Sequence, residues 1–164
     1  MTTDLDALYP EIIADHAAHP RLRQLRPDAT VAARELNPTC GDEVTIQLVL
    51  DGERIVGAGW DGHGCMISQS SASILAEQLA GLTVDELRAR IASFRLSMRS
   101  RGEIPVDEVL LGDAAALGGA SRFVARVKCA LLPWVAAESA LRSRDPDPDF
   151  HGEPHPADGA TRKG

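Results

Sequence analysis

The chain has no apolar run near the roughly 20 residues that a membrane-spanning helix requires, and no basic-then-apolar opening of the kind that marks a signal peptide. It begins Met1-Thr2-Thr3-Asp4-Leu5-Asp6, which is acidic. These two absences make a cytoplasmic protein the expectation. Basic residues are also in deficit, 17 Lys and Arg against 24 Asp and Glu, for a net charge of −7. Phosphate-backbone binding depends on clustered Lys and Arg, so nucleic acid is not an expected partner. Cysteine is scarce. Three thiols cannot all pair within one chain, and cytosolic thiols are kept reduced, which excludes a disulfide framework and leaves metal binding or thiol chemistry. There is no internal repeat and no C-x-x-C pair.

What is present fits one domain of 164 residues, long enough to bury about two-thirds of its unfolded surface. Leu5, Leu8, Tyr9, Ile12 and Ile13 recur at helical spacing. Pro10 lacks an N–H and suits a helix start better than an interior, so the regular helix is expected from about Pro10 to His19-Pro20. Arg21, Arg23 and Arg26 then read as a solvated connector. Thr30 to Leu36 is an extended segment. In 43–50, Val44, Ile46, Leu48 and Leu50 alternate with mostly polar neighbours, the mark of a half-buried strand. Asp51-Gly52 is a hairpin signal, and Arg54 to Trp60 is the returning strand.

Met66 to Ala80 has helical composition, with early hydroxyls at Ser68, Ser70, Ser71 and Ser73, and Gly81 stops it. Thr83-Val84-Asp85-Glu86 is a capping box ahead of Leu87, Ile91, Phe94 and Met98. A short helical piece over 105–117 is expected to end at Gly118-Gly119. The last helix is expected over 129–144, with Pro133 in its first turns. Residues 145–164 hold four of the ten prolines and no apolar periodicity, as a disordered tail would, so the domain is bounded at 1–144. His16 and His19 sit where a helix C-terminus favours positive charge. His151 and His155 fall in the tail. Trp60 and Trp134 read as core or interface anchors.

Each cysteine stands beside Gly or charge and not in an apolar run. Cys40 lies in Asn37-Pro38-Thr39-Cys40-Gly41-Asp42, where Gly41 permits a tight turn before the carboxylate. Cys65 closes Gly62-His63-Gly64-Cys65 at a helix start, a place that favours a thiolate. Cys129 follows Arg126-Val127-Lys128, and the expected helix puts it too at a helix start. Zinc takes four N, O or S ligands in tetrahedral geometry, and Cys40, Asp42, Cys65 and Cys129 supply that number from three separate elements. Zn²⁺ with three thiolates and a carboxylate is formally about −2, so Arg126 and Lys128 are candidate charge-balancing residues, or else an ordinary solvated pair. Two other readings use the same residues. One is a thiol enzyme with Cys65 as nucleophile and His63 as base. The other is a purely structural zinc domain.

The stretches Asn37-Pro38-Thr39-Cys40-Gly41-Asp42, Gly62-His63-Gly64-Cys65-Met66-Ile67-Ser68 with Ser71-Ala72-Ser73, and Arg126-Val127-Lys128-Cys129-Ala130-Leu131 closely resemble motifs of SufU-type iron–sulfur assembly proteins, relatives of IscU and of the N-terminal part of NifU. The resemblance runs from about Leu5 to Leu141. It implies an α+β fold, a small antiparallel sheet of about three strands with several helices packed on it. Lys128 stands where the IscU branch has histidine, and the segment from Gly102 to Gly119, with Leu111-Gly112-Asp113, resembles the SufU insertion. The IscU chaperone-recognition stretch is absent. Val124, where relatives often have proline, and Pro133 in the final helix depart from the pattern.

The resemblance further implies a zinc-dependent sulfur acceptor in which Cys40 takes a persulfide sulfur from a SufS-type cysteine desulfurase and activates that enzyme. Asp42, Cys65 and Cys129 then retain the metal while the partner's histidine takes the place of Cys40. Other SUF cluster-assembly proteins are implied partners. The alternative is a scaffold in which the same residues hold iron or a nascent iron–sulfur cluster.

Overall fold

The computed structural model describes residues 4–144, with side chains from Tyr9 onward; the expected tail lies outside the described residues. Helix α1 (Asp4–Ala18) is followed by strands β1 (Val31–Asn37), β2 (Asp42–Asp51) and β3 (Arg54–His63). Helices α2 (Met66–Leu79), α3 (Val84–Met98) and the one-turn α4 (Glu108–Leu111) come next. A 3-10 segment (Gly112–Arg122) then leads into α5 (Val124–Arg144). The α+β class and the three-stranded sheet agree with the sequence reading.

The strands form an antiparallel meander in the order β1-β2-β3. Side chains alternate faces along a strand, and β2 follows that rule closely: Asp42, Val44, Ile46 and Leu48 are all buried while their neighbours are half-exposed. Asp42 therefore goes inside because it occupies the first position of the core-facing set. Register then places Asn37 of β1 opposite Asp42 and Trp60 of β3 opposite Ile46. Val56, which faces solvent, is the extra residue where the β2–β3 register shifts. The hairpin at Asp51 and the period of β2 are as expected, while β3 continues past the expected Trp60 to His63.

Helices α2 and α5 cover the inner face of the sheet. In α3 the spacing Leu87, Ile91, Phe94, Met98 makes one stripe, and all four are buried. The capping box at Thr83 is present, with the Thr83 hydroxyl accepting from the Glu86 N–H and the Glu86 carboxylate accepting from the Thr83 N–H. Phe94 stacks on Trp134 with ring centroids 4.3 Å apart. The Trp134 indole N–H donates to Ser71 Oγ, whose own hydroxyl donates to the Ala130 carbonyl, so α2 and α5 are stitched through one serine. Both tryptophans are fully buried.

Three expectations are corrected. Helix α1 runs through Pro10 instead of beginning there; the missing N–H forfeits one bond in a helix held mainly by its packing on α2 and the 3-10 segment. The 3-10 segment continues through Gly118-Gly119 to Arg122. Helix α5 begins at Val124, so Pro133 lies inside it and Cys129 lies in its second turn, not at its start. Pro133 is buried among Leu132, Trp134 and Ala136, and that burial offsets a lost backbone bond. The Arg21–Arg26 stretch is the largely exposed connector that the sequence suggests, with its cations paired at the surface. Arg21 pairs with Asp15, Arg23 with Asp61 and Arg26 with Asp28, and the Arg26 N–H donates to the Gln47 side chain at 2.5 Å.

Candidate metal centre

The end of the sheet where β1 turns into β2 meets the start of α2 and the second turn of α5. Asn37 and Asp42 face each other across a four-residue loop, and Cys40 is exposed in that loop. Gly41 takes φ +70°, the left-handed turn that returns the chain to β2. Cys65 is the N-cap of α2 and is exposed. Cys129 is buried, 3% accessible, beneath the loop.

The carboxylate of Asp42, 1% accessible, is the hub. Its Oδ1 accepts from the Cys65 backbone N–H at 2.7 Å and from the Ser68 hydroxyl at 3.2 Å. Its Oδ2 points to the sulfurs, 3.0 Å from Cys129 Sγ and 3.9 Å from Cys65 Sγ. Cys40 Sγ, an Asp42 oxygen and Cys129 Sγ lie within 4.8 Å of one another. All four expected ligands are thus brought to one place, three of them in that tight group and Cys65 in contact with the same carboxylate. Gly64 makes the cradle possible. A Cβ there would lie 2.1 Å from Asp42 Oδ1, and its φ is +148°.

A buried carboxylate is costly unless it is hydrogen-bonded and balanced by charge. Asp42 has hydrogen bonds but, among the described residues, no basic side chain is ion-paired with it. The donor set, one carboxylate oxygen in a tight group with two sulfurs and a third sulfur 3.9 Å from the same carboxylate, suits a soft-to-borderline divalent metal such as zinc or iron. Without metal, burial first and then the Asp42 carboxylate, with the neighbouring Cys65 and Cys40 after it, push the Cys129 thiol well above the ordinary cysteine range. That direction follows from the same physics, because a second anion is resisted until a cation arrives.

Asn37 and Ser68 are contributors that sequence reasoning did not single out. Asn37 Nδ2 lies 3.8 Å from Cys129 Sγ. Ser68, one turn after Cys65, fixes the carboxylate. The available signals were the strand period ending at Asn37 and the hydroxyl-rich first turn of α2. Arg126 and Lys128 are exposed and find other contacts. The Arg126 guanidinium sits 5.1 Å from the Phe123 ring centre, and Lys128 lines an apolar groove with Val124, Val127 and Leu131. His63 is exposed and lies 3.6 Å from Glu43, a partner other than the Cys65 thiol that a thiol enzyme would need.

A family model for the NifU-like N-terminal domain matches residues 8–130, a span that contains Cys40, Asp42, Cys65 and Cys129. The zinc-dependent sulfurtransferase SufU of Bacillus subtilis (strain 168) is 36% identical over 142 residues, covering 87% of this chain and 95% of that protein. The iron–sulfur cluster assembly scaffold protein IscU of Thermotoga maritima is 36% identical over 135 residues, covering 82% and 93%. Among solved structures, a putative iron–sulfur cluster assembly scaffold protein for the SUF system from Fervidobacterium islandicum AW-1 superposes with a TM-score of 0.74 at 34% identity, covering 82% of this chain and 97% of that one.

Proposed function

The chain belongs to the NifU-like N-terminal domain family, and on that premise we propose that it serves iron–sulfur cluster biogenesis as a zinc-dependent sulfur acceptor, with Cys40 as the acceptor thiol. The observation that carries this reading is the unequal burial of the ligands. Asp42 and Cys129 are held in the interior, Cys65 is exposed but fixed by its place at a helix start, and Cys40 is exposed in a loop. Cys40 is the ligand free to meet a partner without dismantling the rest. Zinc at this centre would keep its thiol ligands deprotonated at neutral pH.

The transfer step is a thiolate exchange. Cys40 Sγ attacks the outer sulfur of a persulfide on a cysteine desulfurase. A sulfur–sulfur bond forms to Cys40, the donor's sulfur–sulfur bond breaks, and the donor cysteine leaves as a thiolate. No electrons are gained or lost overall. Asp42, with Oδ1 tied to the Cys65 N–H and Ser68, keeps Oδ2 aimed at the centre throughout. Arg126 and Lys128, three and one residues before Cys129, are exposed and act on the centre only through the long-range positive potential they add. The working unit is residues 1–144, acting with a SufS-type desulfurase and other SUF proteins in the cytoplasm. Its described helices include none long and apolar enough to cross a membrane.

The relatives named as IscU scaffolds favour a second reading, in which the same four ligands hold a nascent cluster as cargo. Metal analysis of anaerobically purified protein, paired with desulfurase turnover with and without Cys40→Ala, separates the two. One zinc per chain and stimulation lost in the variant support sulfur transfer. Iron with acid-labile sulfide and no stimulation would replace it with the scaffold.

A further inference from the structure

A second group of ligand-type side chains lies at the far end of α2, about 14 Å along the helix axis from Ser68 to Glu77 at 1.5 Å per residue. His16, in the last turn of α1, is 1% accessible. Its ring does not face the open helix end, as its position would suggest, but turns sideways into the junction of α1, α2 and the 3-10 segment. Nε2 lies 3.1 Å from Asp113 Oδ2 and 3.7 Å from Glu77 Oε2. The three ligand atoms are mutually within 4.8 Å. Two ligands about 2.1 Å from one metal ion are separated by roughly 3.0 Å at octahedral and 3.4 Å at tetrahedral angles. The His16–Asp113 separation falls within that range, and the His16–Glu77 separation, 3.7 Å, lies just above it.

We propose that His16, Glu77 and Asp113 form a second divalent-cation site, independent of the cysteine centre and suited to a first-row ion held by one imidazole and two carboxylates. Charge favours it. Asp15, Glu77 and Asp113 bring three carboxylates to this junction. Among the described residues the guanidinium paired with them, Arg21, is engaged by Asp15 at 2.6 Å and stands 3.8 Å from Glu77. The three carboxylates and one guanidinium together leave a formal charge of about −2 for a cation to meet.

The imidazole is also set for the role. A metal-binding histidine offers one nitrogen to the ion and donates its other N–H to a fixed acceptor. Nδ1 lies 2.7 Å from Ser73 Oγ, which also accepts the Arg21 backbone N–H at 2.8 Å. The Arg21 carbonyl in turn accepts from the Trp60 indole N–H at 2.7 Å. Ser73 and Trp60 are fully buried, so the ring is oriented from the core while both carboxylates are half-exposed and open to solvent exchange. The cation would tie the 3-10 segment to α1 and α2. The donor set is harder than three thiolates, so the two sites differ in spectrum.

Anaerobic Co²⁺ titration of the full-length, metal-free protein tests this. The expected result is two equivalents. The first gives intense near-ultraviolet thiolate-to-cobalt bands, and the second adds only weak visible bands. In Glu77→Gln/Asp113→Asn, which alters only half-exposed side chains, the second equivalent is lost and the thiolate bands of the first persist, showing that the fold is intact. A single equivalent in the parent protein would overturn the proposal. So would a second equivalent that survives in the double variant, whatever residues then hold it.

Discussion

Gly64→Ala is the sharpest perturbation of the cysteine centre, because it alters no ligand. The new Cβ would meet Asp42 Oδ1 at 2.1 Å, so the carboxylate must recoil by about 1.3 Å to reach ordinary contact near 3.4 Å. The bond from the Cys65 N–H, now 2.7 Å, and the one from Ser68, now 3.2 Å, do not survive a shift of that size. Each is a hydrogen bond to a charged group, worth about 1.5–3 kcal/mol. Misplacing a ligand by loss of its outer contacts weakens metal binding by about 10- to 100-fold. Holding alanine at φ +148° adds a backbone cost, which needs its own control.

Gly81→Ala supplies that control. Gly81 has φ +95° and nothing within 4 Å of its would-be Cβ, so it should cost about 1–2 kcal/mol of stability and leave metal affinity unchanged. Zinc affinity by chelator competition, with urea melts of both metal-free variants, measures the two effects separately. Gly64→Ala is expected to lose at least about tenfold in affinity. Affinity kept within about twofold would refute the placement of Asp42 Oδ2 as a ligand held by this cradle.

Three further outcomes follow from the packing and titration chemistry. The Cys129 thiol, raised from an ordinary value of 9.0, keeps its proton in the folded metal-free protein while the unfolded chain loses it. Stability from this group is therefore full below about pH 9 and falls as pH rises further, by up to about 1.4 kcal/mol per pH unit; urea melts from pH 8 to 10 should show the slope, and Cys129→Ala should flatten it. Glu138 forms a two-point bond with Arg95, at 3.0 and 2.8 Å, and Arg95 holds its carboxyl below the usual range. Glu138→Gln should cost about 1–2 kcal/mol at pH 7, and the difference from the parent should shrink as pH falls through the folded-state pKa of Glu138. Phe94→Ala removes the partner stacked on Trp134 and should cost about 3–5 kcal/mol in a denaturant melt.

The gathering of Cys40, Asp42, Cys65 and Cys129 was largely legible in the sequence because these residues obey local rules. The period of two in β2 carries Asp42 inward along with Val44, Ile46 and Leu48, and Gly41 turns the chain between Cys40 and that strand. Cys65 sits at a helix start because Gly64 breaks the strand before it. Cys129 was misplaced because Pro133 reads as a helix beginning. Burial of that proline in the core outweighs the bond it forfeits, a tertiary effect that no local pattern carries. Pro10 in α1 misleads in the same way. The junction of His16, Glu77 and Asp113 was invisible for a different reason. Its members are 61 and 36 residues apart along the chain, and His16 alone looks like a helix-end histidine until α2 and the 3-10 segment close over it.

The central claim is that Cys40 receives sulfur. Its most direct test is to incubate the zinc-loaded protein with a SufS-type desulfurase and cysteine, block free thiols, and locate any added sulfur by peptide mass spectrometry. The account predicts a gain of one sulfur atom on Cys40, with Cys65 and Cys129 unmodified and no gain in Cys40→Ala. Sulfur on Cys65 or Cys129 with Cys40 unmodified, or on none of the three while the desulfurase turns over, would contradict it.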